Sequence, residues 1–180
     1  TSDTSFSATL TGADLIGVET LLNKNGTSSV SSTTYNLAAS EDWEAGADSA
    51  IVVADLTGNG ITVSNYAAPA MTSATFDAAT NVLTVTGTNF VSNSGAANDV
   101  EVSLLTLSGE GGSYTLTSSA VDVTSATAFS VTLNAADQLA AHGLLNKNGT
   151  ASSGATTYNV AAAENWMTGS PASVTVADLT

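Results

Sequence analysis

"MTSATFDAATNVLTVTGTNF", Met71 to Phe90, reads as two β-strands joined by a turn. In VLTVTGTNF (Val82 to Phe90), Leu83 and Val85 fall on one face, the period-two pattern of a half-buried strand. MTSATF (Met71 to Phe76) precedes it, and DAATN between them supplies the Asp and Asn that turns favour. Pro69 stands after a small-residue stretch and just ahead of this alternating run, as at the entrance to a domain.

Further strands follow downstream. A polar loop, VSNSGAAND, leads to VEVSLLTL (Val100 to Leu107), where the doubled Leu104-Leu105 breaks the alternation and predicts a bulge. SGEGG turns the chain into SYTLT (Ser113 to Thr117). AVDV and AFSVTL come next, with Phe129, Val131 and Leu133 inward. The period then changes. NAADQLAAHGLLNKNG is helical, with Asn134 and Asp137 in a capping arrangement and an apolar side of Leu139, Leu144 and Leu145. Asn and Gly stop that helix, so NKNG reads as an exposed turn with Lys147 in solvent. NVAAAENWMTG predicts a second short helix ending at Gly169, with Trp166 as a core anchor, before a last strand in ASVTVADL.

LLNKNGT occurs twice, at Leu21–Thr27 and at Leu144–Thr150. At that offset of 123 positions, residues 1–57 align on 124–180 without a gap, and 31 of the 57 pairs are identical. A period of 123 residues is domain-sized, which predicts beads on a string rather than a solenoid. Residues 1–66 then form the C-terminal half of one bead. Residues 67–180 form a second, nearly complete bead that lacks the closing strand spelled GITVSNY (Gly60 to Tyr66) in the first. The apolar residues Phe6, Leu10, Leu22, Trp43, Ile51, Val53 and Ile61 of the half-bead need a covering sheet, supplied by a preceding repeat or another copy.

Seven or eight short strands with turn signals about every ten residues predict a mainly β chain of β-sandwiches, each with a short helical insertion. PAMTSATFDAATNVLTVTGTNF, with its Gly-x-x-Phe ending at Gly87 to Phe90, resembles the opening strands of IPT/TIG-type immunoglobulin-like domains. The whole unit resembles the tandem immunoglobulin-like repeats of very large bacterial surface proteins, adhesins and biofilm proteins among them. That resemblance implies a structural or interaction module, extracellular or on the cell surface, whose partners are neighbouring repeats, other copies of itself, or a cell-surface or glycan ligand. It brings no catalytic motif. A filament or surface-layer subunit that exchanges strands between chains is the runner-up. A carbohydrate-binding module of a secreted enzyme is the competing class, which a row of exposed aromatics would favour.

Composition narrows the chemistry. Sixteen acidic residues face two lysines, Lys24 and Lys147, giving a net charge of −14, which repels nucleic acid. There is no Cys for disulfides or thiolate metal sites. No apolar run reaches the roughly 18 residues of a membrane span. No signal peptide is legible, so the chain reads as a mature piece or a fragment. The one His, His142, is Glu19 in the first copy, so it reads as an exposed helix position rather than a shared catalytic base, and no enzyme is expected. An acid-rich, base-poor chain does suit calcium, which takes several carboxylate and carbonyl oxygens. The candidate ligands are Asp55 and Asn59 in the Gly-rich turn ADLTGNG, and Asp99 and Glu101 near the linker.

Overall fold

The alternation across Met71–Phe90 folds into a hairpin. β1 (Ala70–Asp77) pairs antiparallel with β2 (Val82–Thr88), Phe76 opposite Leu83. In the turn, Asp77 accepts the Ala79 N–H at 2.8 Å, and Asn81 takes a left-handed φ of 57°. That N–H, with the Thr80 hydroxyl, holds the Asp77 carboxyl below its usual range. A computed structural model describes residues 5–46, 48, 50, 52–53, 58–168, 170 and 175–176. Their contacts divide the chain into a larger unit, Thr1–Thr20 with Ala68–Thr180, and a smaller one, Leu21–Ala67.

The larger unit is mainly β, with two antiparallel sheets. In the first, β2 also pairs with β6 (Ala128–Thr132), which pairs with β5 (Val123–Ser125), in the order β1-β2-β6-β5. The second has β3 (Leu105–Gly109) between β4 (Gly112–Thr115) and β7 (Asn159–Ala162). In the inner strands and β7, alternate apolar residues are buried: Leu83 and Val85 of β2 and Phe129 and Val131 of β6 from one sheet, Leu105 and Leu107 of β3 and Val160 and Ala162 of β7 from the other. All join one cluster with Phe90 and Trp166. The rings of Phe90 and Phe129 pack 5.6 Å apart, and that of Phe90 meets Trp166 edge-on at 5.8 Å. Trp166 is the core anchor its sequence context predicts.

Three expectations are corrected. NVAAAENWMTG does not begin a helix: Asn159–Ala162 is β7, because Val160 and Ala162 alternate into the core while Thr106 and Ser108 of β3 offer a ladder. Alanine's helix propensity yields to that tertiary pairing. Leu104-Leu105 is not a bulge. Val102–Leu104 forms a 3-10 turn whose N-cap is Glu101, and β3 starts after it. Leu139 does not face the core. α2 (Ala135–Leu144) buries Asp137, Ala141 and Leu144, spaced four and three apart, and Leu139 lies on the opposite, exposed side. The expected cap holds: the Asn134 side chain accepts the N–H groups of Ala136 and Asp137, both at 3.0 Å.

The first copy of the repeat looks different. α1 (Gly12–Leu21) buries no residue. In the smaller unit, Gly60 and Val63 bridge Asn36 and Gly26, and Val53 bridges Ala39. Among the described residues from 5 to 67, only Ser29 and Tyr35 are buried. No helix among the described residues is long and apolar enough to cross a membrane.

Candidate functional site

No group of three or more His, Cys, Asp or Glu converges among the described residues. Asp55 lies outside them. Asn59 is in the smaller unit, where its carbonyl accepts the Leu37 N–H at 3.0 Å. Asp99 and Glu101 are in the larger unit, and both have structural partners. Asp99 is buried, and its two carboxylate oxygens accept the backbone N–H groups of Asn93 and Val123. It therefore ties the polar loop to β5. Glu101 Oε1 accepts the hydroxyl of Ser103 at 2.7 Å, and its N–H at 3.3 Å. Asp122, which sequence reasoning passed over, accepts the Asn98 N–H at 2.9 Å. The N–H groups of Ala97, Asn98 and Asp99 hold its carboxyl below the usual range. Each of these carboxylates accepts hydrogen bonds from the chain itself.

The most heavily bonded carboxylate is Asp137. It is fully buried and accepts from five donors: the hydroxyls of Tyr114, Thr117 and Ser118 and the N–H groups of Thr117 and Ser118, at 2.6–3.2 Å. Burial alone would raise its pKa, but the Ser118 and Thr117 donors outweigh that and hold it below 3.8. It thus pins α2 to the chain just beyond β4. In the sequence Asp137 shows only its capping position three residues after Asn134, because its partners stand about twenty positions away.

The duplicated LLNKNGT segment begins a loop built alike in both copies. The hydroxyl of Tyr35 donates to the carbonyl of Lys24 at 3.2 Å, and that of Tyr158 to Lys147 at 3.1 Å. Asn23 accepts the Val30 N–H and Asn146 the Ser153 N–H, both at 3.0 Å. Ser29 and Ser152 hydroxyls accept the N–H groups of Thr33 and Thr156, both at 3.0 Å. Even the left-handed residues coincide: Gly26 and Gly149 at φ 110° and 116°, Ser32 and Ala155 at 68° and 66°. The loop side chains Lys24 and Lys147 are exposed, as an NKNG turn predicts.

What differs is cover. Phe6 is 69% exposed and its counterpart Phe129 is 0%; Leu21 is 70% and Leu144 9%; Leu37 is 55% and Val160 5%; Trp43 is 47% and Trp166 0%. Leu10 is exposed, and its counterpart Leu133 is buried. Of the seven residues expected to need cover, Ile51 lies outside the described residues and none of the other six is buried. In the second copy Phe129, Leu133, Leu144, Val160 and Trp166 pack in one cluster with side chains from residues 71–123, among them Met71, Leu83, Val85, Phe90, Leu105 and Leu107. The candidate residues are therefore Phe6 and Leu10 in the larger unit and Leu21, Leu37 and Trp43 in the smaller one, each exposed where its counterpart in the second copy is buried. No protein-family model, curated protein or solved structure matches the chain.

Proposed function

We propose that this chain is a structural and interaction module of an extracellular or surface-attached repeat protein, a tandem series of 123-residue immunoglobulin-like β-sandwiches, each with a short helical insertion. One observation carries the reading: Phe6, Leu10, Leu21, Leu37 and Trp43 are exposed in the first copy, and their counterparts Phe129, Leu133, Leu144, Val160 and Trp166 are core residues in the second. In a series, strands equivalent to 70–125 would precede residues 5–66 and bury Phe6, Leu10, Leu21, Leu37 and Trp43. Each side chain of this size gains about 1.5–3 kcal/mol on full burial, so each of them is biased toward being covered.

Joining a second copy of residues 67–123 ahead of Thr1 tests this. The extended chain is expected to unfold with a larger denaturant slope, because more surface becomes buried in the native state. A slope equal to that of the 180-residue chain, with the added segment unfolded, would count against the reading.

The exposed aromatics Phe6 and Trp43 also suit stacking on a sugar ring, which favours the carbohydrate-binding reading. Their counterparts Phe129 and Trp166 pack inside a core, however, so cover by protein accounts for both copies with one cause. Polysaccharide that protects Trp43 from quenching in the 180-residue chain would reverse this choice.

A further inference from the structure

We propose that the outer edge of the second copy, residues 148–160, is a receptor for a β-strand with the sequence of Gly60–Tyr66, and that Asn148 fixes that strand's register. The proposal rests on the repeat reading above and names the recognition that closes each bead.

Alternate backbone groups of β7 point away from β3. Leu105 O accepts the Leu116 N–H, so the backbone groups of Leu105 and Leu107 face β4, and those of Thr106 and Ser108 face β7. Alternation then turns Asn159 and Ala161 toward β3, and Val160 and Ala162 away from it. Ala162 is taken: it exchanges both backbone hydrogen bonds with Val176, at 2.9 Å each. Among the described residues, no strand pairs with the outward side of Val160 or with Gly149.

The smaller unit displays the same edge occupied. Ala39 exchanges its bonds with Val53, as Ala162 does with Val176. Beyond it, Leu37 N–H donates to Asn59 O at 3.0 Å and Ile61 N–H to Tyr35 O at 3.1 Å. Gly26 and Val63 then exchange two bonds, at 2.9 and 2.8 Å. At the end, the Asn25 side chain acts as a backbone unit: its Nδ2 donates to Tyr66 O at 3.0 Å, and its Oδ1 accepts the Tyr66 N–H at 2.9 Å. The four receptor positions, Asn25, Gly26, Tyr35 and Leu37, recur as Asn148, Gly149, Tyr158 and Val160. Their loop is already in the bound conformation, bond for bond, so little ordering is left to oppose association. The cover is visible in burial as well: Tyr35 is buried beneath the strand, while Tyr158 is only half-buried. Strand addition at such an edge draws affinity from main-chain bonds, and the Asn pair makes it specific for one register.

The test adds a synthetic peptide of residues 58–67 to the full 180-residue chain, up to millimolar concentration, and reads backbone amide shifts and hydrogen exchange. Saturable perturbation and slowed exchange at Gly149 and Val160 are expected. Asn148→Ala is expected to weaken binding about tenfold, and Asn148→Asp, which keeps the acceptor and loses the donor, by less. Asn148 is exposed, so neither variant threatens the fold. No change at those two amides would overturn the proposal. So would equal binding by a scrambled peptide, equal affinity for Asn148→Ala, or changes confined to Gly26 and Leu37. If the extended chain buries Trp43 and the peptide still fails, the edge proposal falls alone and the repeat reading stands.

Discussion

The ring of Phe90 lies against Gly87 so closely that only a hydrogen fits on the Gly87 Cα. A methyl group there would overlap ring carbons of Phe90 and the carbonyl oxygen of Ala70. Asn89, at φ 58°, turns the chain so that Phe90 folds back and meets Phe129 and Trp166. The Gly-x-x-Phe pattern is thus a packing device: the glycine vacates the space that the aromatic fills.

Gly87→Ala is therefore expected to destabilise by about 1–3 kcal/mol, the usual cost of overpacking a core. Urea unfolding should show a lower midpoint at unchanged slope. Gly143→Ala is the control. It sits inside α2 with open space at its Cβ, so it is expected to stabilise, by up to about 1 kcal/mol.

Asp137 supplies a pH prediction. Its folded pKa is depressed below 3.8. Its contribution is therefore present above pH 3.8 and is lost as pH falls through the folded value. Asp137→Asn leaves several of its donors unpaired and is expected to cost roughly 2–4 kcal/mol at neutral pH. The gap between wild type and variant should narrow on acidification below pH 3.8. Asp14→Asn, at the equivalent but exposed position, should stay within about 0.5 kcal/mol. A gap that widens in acid would contradict the assignment.

Equivalent substitutions in the two copies should differ sharply. Phe129→Ala is expected to cost about 3–5 kcal/mol. Phe6→Ala, from the same place in the repeat, should change the stability of the 180-residue chain by no more than about 0.5 kcal/mol. Similar losses at both positions would mean that Phe6 is already packed.

The strands around Leu83, Val85, Phe129 and Val131 were legible because alternation and burial agree at each of them. So was the cap at Asn134, a purely local device. β7 was not legible: an Ala-rich run carries little strand signal, and its state is decided by β3. The polar centre at Asp137 was hidden for the same reason, since Thr117 and Ser118 reach it only through the fold. The recognition role of Asn25 has a sequence signal in hindsight, its exact recurrence as Asn148. A turn explains Asn-Lys-Asn-Gly equally well until the Tyr66 bonds are seen.

The central claim is that the first copy exposes a core that belongs under a neighbouring set of strands, and Trp43 reports on it directly. Acrylamide quenching of the 180-residue chain should resolve two tryptophan classes, Trp43 accessible and Trp166 protected. With a copy of residues 67–123 joined ahead of Thr1, the account predicts that the accessible class disappears and Trp43 emission shifts to the blue. Trp43 quenching unchanged in the extended chain would contradict it.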